Sequence, residues 1–178
     1  PDQPIFLGVK GDKALAIAGE IADGVLLSVG SPVEYIHHVR ERLAVGAEIA
    51  GRDPSSIHIA AYLPTCINTD GQKAVDDMRG QAARYLALHG ASAITAAAGL
   101  PQDFCAQFRD AFLRGEKLDT NIPGEFVDKL VIAGTPEHCR RRLQEYRDAG
   151  VDMPVIYEAA GDQSPEDSLA NIGRYLIG

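Results

Sequence analysis

Short apolar runs alternate along the chain with stretches in which apolar residues recur every three or four positions. Ile5-Phe6-Leu7-Gly8-Val9 is too brief for a helix and stops at Lys10-Gly11-Asp12, so it reads as a buried strand. Over residues 13–22, Leu15, Ile17, Ala18, Ile21 and Ala22 fall at helical spacing, and Asp23-Gly24 closes the segment. Val25-Leu26-Leu27-Ser28 is again apolar and short. Strand, helix, strand is a βαβ unit with a parallel pair and a right-handed crossover.

The next helix carries Ser31 as cap, Pro32 at its first position and Glu34 completing a Ser-x-x-Glu box; its apolar stripe is Ile36, Val39, Leu43, Ala47 and Ala50, with Gly51 as the stop. Arg52-Asp53-Pro54-Ser55 turns the chain into a third strand, where Ile57, Ile59, Ala61 and Leu63 repeat every second residue until about Pro64-Thr65-Cys66. Residues 72–130 are mostly helical, with clear pieces over 74–89 and 102–114. A segment this long between strands predicts an insertion whose helices pack outside the sheet or over its carboxyl end. Leu130-Val131-Ile132-Ala133 leads into Gly134-Thr135-Pro136-Glu137, a capped helix start with an apolar face of Cys139, Leu143, Tyr146 and Gly150. Met153-Pro154-Val155-Ile156-Tyr157 is the fourth strand, and Ser164-Pro165-Glu166-Asp167 opens the last helix.

Four strands alternating with helices, without a hairpin signal, predict an α/β fold with a parallel sheet in one domain over residues 1–178. Periodicity leaves two architectures open: a small open doubly wound sheet, or half of a closed eight-stranded barrel.

Composition removes several functions. With 46% hydrophobic residues the chain has apolar material for a single core, and no apolar run reaches the roughly 18 residues of a bilayer helix, so membrane association is not expected. The opening Pro1-Asp2-Gln3-Pro4 has no secretion-signal pattern, which predicts a cytoplasmic protein, and the missing initiator Met suggests a start inside a longer chain. A net charge of −8 argues against nucleic acid; the one basic cluster, Arg140-Arg141-Arg142, reads as a solvated helix face. Cys66, Cys105 and Cys139 fit neither a disulfide framework nor a zinc site, and the five histidines His37, His38, His58, His89 and His138 lack ligand spacing, so no metal is expected.

Two runs resemble a known family. Pro4-Ile5-Phe6-Leu7-Gly8 with Gly11-x-Lys13, followed by Ala18-Gly19-Glu20-Ile21-Ala22-Asp23-Gly24-Val25-Leu26-Leu27, is similar to the fifth-to-sixth-strand region of luciferase-like oxidoreductases, above all the branch of coenzyme F420-dependent methylenetetrahydromethanopterin reductases. Ala133-Gly134-Thr135-Pro136-Glu137 and Ala149-Gly150-Val151-Asp152 resemble the lead-in to that family's last strand. The resemblance implies the C-terminal half, strands five to eight, of a (β/α)8 TIM barrel, with a helical insertion at 72–130 between its last two strands. It also implies hydride transfer between a small organic substrate and a cofactor, either the deazaflavin coenzyme F420 or FMN. Catalytic residues would then lie largely in the other half, so the isolated chain is expected to be inactive, and its open sheet edges invite a homodimer or another partner. The other class left standing is a non-catalytic binding or scaffold protein, flavodoxin-like or a dimerising half-barrel.

In such a barrel the loops at the carboxyl ends of the strands form the site. The loop after the first strand is the leading candidate: Gly8, Val9, Lys10, Gly11, Asp12 and Lys13 offer free backbone N–H groups, a positive helix end and cationic side chains to a phosphate. Relatives commonly carry Gly-Pro-Lys where this chain has Gly11-Asp12-Lys13, and a carboxylate there repels phosphate unless it points away. Ser28, ending the second strand, reaches toward cofactor or substrate. Glu20 and Asp23 read as turn-fixing residues and Glu158 as a loop carboxylate.

Overall fold

The computed structural model describes residues 3–159 and 164–177; Gly161, Asp162 and Gln163, expected in the loop after the last strand, lie outside them. The chain runs β1 (Phe6–Leu7), α1 (Asp12–Ile21), β2 (Gly24–Leu27), α2 (Val33–Ile49), β3 (His58–Ile67), α3 (Gly71–His89), α4 (Ala93–Ala97), α5 (Gln102–Leu113), α6 (Gly124–Leu130), β4 (Ile132–Gly134), α7 (Pro136–Asp148), β5 (Met153–Glu158) and α8 (Pro165–Ile172). Every strand pairing is parallel, as the strand–helix alternation predicts.

β3 is the axis of the sheet. Ala60 and Ala61 pair with both β2 and β5, and Thr65 with both β4 and β5. β5 therefore takes one edge of β3, while β2 and β4 share the other, β2 beside its start and β4 beside its end. Between them Tyr62, Leu63 and Pro64 have no neighbour on that edge, and a residue without an N–H is tolerated there. This corrects the sequence reading three times: β3 runs through Pro64 to Ile67, Ile132–Gly134 is a fifth strand among the described residues, and the 72–130 segment therefore lies between the third and fourth strands instead of the last two.

Alternation along the strands sorts residues onto two faces. Val25, Leu27, Ile59, Ala61, Leu63 and Ile67 meet Leu15 and Ala18 of α1, Val39 and Leu43 of α2, and Leu143 and Tyr146 of α7 in one buried core. α1 and α2 approach so closely that a Cβ on Gly19 would stand 2.2 Å from the Leu43 carbonyl oxygen, and one on Gly46 1.8 Å from that of Ala16. A second core gathers Cys66 and Ala133 from the carboxyl end of the sheet with Met78 and Leu86 of α3, Cys105 and Phe108 of α5, and Val127 of α6. Helices of the 72–130 segment thus close over that end.

Local signals fare unevenly. Thr135 caps α7 by accepting from the His138 N–H at 3.3 Å, and Ser164 caps α8. The expected capping box on α2 does not form: the helix starts at Val33, Ser31 Oγ donates to the Ser28 carbonyl at 2.8 Å, and Glu34 pairs with Lys129. Tertiary partners outcompete the cap. Arg142 also departs from the solvated-face reading, since it is buried, donating to Glu145 and to the Asp128 carbonyl.

Candidate functional site

Parity along β1 and β2 decides what faces away from the helix-covered core. Phe6 shares a face with Gly24, whose missing side chain leaves room for the Phe6 ring at 2.5 Å from an ideal Cβ. Counting by twos, Gly8 and Lys10 follow Phe6, Leu26 and Ser28 follow Gly24, and Ala60, Tyr62 and Pro64 continue the row on β3. Gly8, Lys10, Leu26, Ser28 and Tyr62 of this row, with their neighbours Val9, Leu27 and Val29, line a cavity of about 420 Å3. The volume lies within the range usual for small-molecule sites.

The structure therefore brings together Gly8, Val9, Lys10 and Ser28 and leaves Gly11, Asp12 and Lys13 beside the cavity without lining it. Gly11 has a φ of +97° and precedes α1 with no side-chain cap, so the first amides of that helix remain available. Asp12, whose charge would oppose a phosphate, accepts from or pairs with His38 Nε2 at 2.8 Å on α2. Its carboxylate is spent on the helix–helix contact. Lys10 is exposed and forms no ion pair among the described residues.

Three residues near this rim escaped the sequence reading. Tyr62, 37% exposed, is the large side chain on the face of β3 opposite Ile59, Ala61 and Leu63, and the period of two that found those three also isolates it. Tyr85 on α3 shares a hydrogen bond with Tyr157 at the end of β5, and burial together with that bond holds its hydroxyl protonated far above the usual tyrosine range. His89 on α3 is bonded through Nε2 to the Val29 carbonyl at 2.7 Å. A contact spanning 60 residues leaves no local signature.

Other candidates become structural. Asp23 accepts from the Ile5 N–H at 2.7 Å and fixes the β1 entry, as expected of a turn carboxylate. Asp70 caps α3 through the Gln72 and Lys73 amides. The three cysteines are buried and form no disulfide among the described residues, and burial foremost, with Cys66 and Asp128 nearby, pushes the Cys139 thiol up to about 12. A larger cavity of about 540 Å3 lies between the starts of α3, α6 and α7, but its His138 is held on one nitrogen by Asp128 and on the other by Arg141, and Glu125 and Glu137 offset its cations. It lies away from the β1 and β2 ends, and the smaller cavity is the better candidate. No group of three or more His, Cys, Asp or Glu side chains gathers to hold a metal, and no helix is long and apolar enough to cross a membrane, among the described residues.

Parallel strands alternating with helices, with a cavity lined by Gly8 and Lys10 at the carboxyl ends of β1 and β2, define an α/β domain whose candidate site lies where sites of this architecture lie. The chain belongs to the luciferase-like monooxygenase family, whose profile matches residues 1–153. It is 30% identical, over 99% of its length, to 5,10-methylenetetrahydromethanopterin reductase of Methanolobus tindarius, of which it covers 54%. Among solved structures it matches the coenzyme F420-dependent tetrahydromethanopterin reductase of Methanopyrus kandleri at 24% identity with a TM-score of 0.79, over 98% of this chain and 50% of that one. An F420-dependent secondary alcohol dehydrogenase in complex with an F420–acetone adduct shares the fold at 14% identity and a TM-score of 0.70, over 99% of this chain and 49% of that one. The chain spans about half the length of the curated relatives it matches.

Proposed function

We propose that β1, β2, β3 and β5 are strands five to eight of a (β/α)8 barrel, with the short β4 an addition to it, in an oxidoreductase that passes hydride between a small organic substrate and coenzyme F420 or FMN. The observation that carries the reading is the cavity at the carboxyl ends of β1 and β2, where Lys10 stands unpaired and Asp12 is turned away to His38. In this reading the 1–178 chain is one partial barrel unit, and residues 72–130 are an insertion closing its mouth. Half-buried Val155 and Ile156 on β5 and exposed Ile5 beside β1 mark edges where the remaining strands, or a second copy in a homodimer, pair. Three buried cysteines outside any disulfide among the described residues fit a reducing compartment such as the cytoplasm. The oxidoreductase relatives favour this reading over a non-catalytic scaffold.

The residues present suit an anionic cofactor tail. Gly8 and Gly11 leave open space for backbone approach, the uncapped amides of α1 and Lys10 meet the phosphate, and Ser28 adds a hydroxyl. When bound, the cofactor supplies the hydride carrier; the chain holds its tail, orients it and excludes water from one wall of the cavity. Titrating the chain with coenzyme F420 and with FMN, followed by the fluorescence of each, tests this directly. Saturable binding weakened by Lys10→Gln is expected. Absence of binding to either, by the chain and by any longer form containing it, would overturn the proposal, and turnover by the 178-residue chain alone would overturn the assignment of the chemistry to strands one to four.

A further inference from the structure

The registers of the parallel strands set out a row at the mouth of the cavity. Leu7 pairs with Val25, Leu27 with Ala61 and Tyr62 with Val155. Carried on to the strand ends, the first two pairings place Lys10 beside Ser28 and Ser28 beside Tyr62, on one face. All three line the cavity. Neighbouring strands lie about 4.8 Å apart, so Lys10 on the extension of β1 and Tyr62 on β3 stand about 10 Å from each other across β2.

The row is cationic at one end and aromatic at the other. Tyr62 is 37% exposed, and among the described residues its hydroxyl makes no hydrogen bond and its ring meets neither a second ring nor a guanidinium. The pairing of β2 stops at Ala61 and that of β4 starts at Thr65, so no strand flanks Tyr62 on that edge. Apolar Val9, Leu26 and Val29 complete the walls. A large aromatic side chain left open among apolar walls is an informative exception to burial, and its face gains by stacking on a flat ring.

Resting on the reading above that an anionic cofactor tail lies at Lys10 and the start of α1, we infer that Tyr62 is the side chain on which the cofactor's flat ring stacks. Length is the link between the two ends of the row. In FMN and in coenzyme F420 a ribityl arm puts seven bonds between the ring nitrogen and the phosphorus, and an extended chain of seven bonds spans about 8 Å. Tyr62, two strands from Lys10, is within reach of a ring whose tail is held there, whereas Ser28 on the intervening strand lies opposite the ribityl hydroxyls. The contact is made by the face of Tyr62, so its aromatic ring is required and its hydroxyl is not.

The test titrates the 178-residue chain with FMN and riboflavin, followed by flavin fluorescence, and with inorganic pyrophosphate, followed by calorimetry. Riboflavin carries the ring without the phosphate, and pyrophosphate the phosphate without the ring. Tyr62→Leu is expected to weaken FMN and riboflavin alike, about tenfold, and to leave pyrophosphate unchanged. Tyr62→Phe should bind both flavins within about twofold of the wild type. A stacked tyrosine quenches flavin emission, so bound riboflavin should be dim in the wild type and brighter in Tyr62→Phe, a signature that a merely structural role would not move. Lys10→Gln should do the reverse of Tyr62→Leu, weakening FMN and pyrophosphate and sparing riboflavin. Circular dichroism matching the wild type shows that each variant is folded. Flavin affinity unchanged in Tyr62→Leu overturns the inference, and the tail site stands if pyrophosphate still binds. Riboflavin binding that depends on Tyr62, without pyrophosphate binding by the wild type, removes the tail site and upholds the ring site; no flavin binding by the wild type overturns both.

Discussion

The two faces of β2 and β3 are one residue apart in sequence and opposite in character. Val25, Ile59, Ala61 and Leu63 are sealed in the core with α1, α2 and α7, while Leu26 and Tyr62 line the cavity, which Leu27 reaches from the strand end. On the sealed face every large side chain has packing partners, and burial stabilises by roughly 1.5–3 kcal/mol each. On the open face the side chains are fewer and, among the described residues, Lys10 forms no ion pair and His89 Nδ1 has no hydrogen-bond partner. Folding energy is thus concentrated on one parity, and the binding proposed above falls on the other.

The largest effect that would break this comparison is expected at the α1–α2 contact. Gly46→Val places a side chain where even a Cβ would meet the Ala16 backbone oxygen at 1.8 Å, so the helices must separate. Urea unfolding should show a loss of about 3 kcal/mol or more. A matched pair sharpens it further. Ile59→Ala, on the sealed face, should cost about 3 kcal/mol, whereas Tyr62→Ala, three residues on and on the open face, should cost under about 1 kcal/mol. Equal losses would mean that the open face is packed as tightly as the sealed one.

The sealed face was readable in advance because both of its signals are local. Period two marks Ile57 through Leu63, and helical spacing marks Leu15 and Ala18, so the strand–helix order and the parallel sheet followed from the chain itself. β4 was not readable: three residues between a helix end and the Thr135 cap carry too little pattern to separate a strand from a linker. Gly8, Val9, Lys10 and Ser28, expected at the site from their positions at strand ends together with the family resemblance, line one cavity; their part in holding a cofactor is the proposal made above. Gly11, Asp12 and Lys13 were placed nearby but outside the lining, because the chain turns into α1 at Gly11 and carries Asp12 toward His38. The α2 capping box failed for the same kind of reason, a tertiary partner for Glu34 that lies 95 residues away.

A smaller effect separates binding from stability on the open face. Lys10→Gln should weaken pyrophosphate or FMN binding about five- to tenfold, the size expected for one partly solvated charge-assisted contact, while the urea midpoint stays within about 0.5 kcal/mol of wild type. If stability fell with affinity, Lys10 would belong to the scaffold and the division between the faces would fail at its most exposed point.

The smallest effect is the pH dependence that the open face imposes on folding. Unfolded, His89 titrates near its ordinary value of 6.5; folded, burial and then Lys10 push it lower. Between those two points the unfolded chain binds the proton and the folded chain does not, so acid favours unfolding there. The contribution is fully present above the ordinary imidazole range and is lost as pH falls toward the folded value. A single proton limits the slope to about 1.4 kcal/mol per pH unit. Urea midpoints measured through mildly acid pH should decline less steeply in His89→Gln than in the wild type, whereas a substitution on the sealed face such as Ile59→Ala should lower both ends of the profile equally. Parallel profiles for wild type and His89→Gln would mean that the buried ring finds a partner for Nδ1 in solution, and that its lone pair is not the open face's acid-sensitive point.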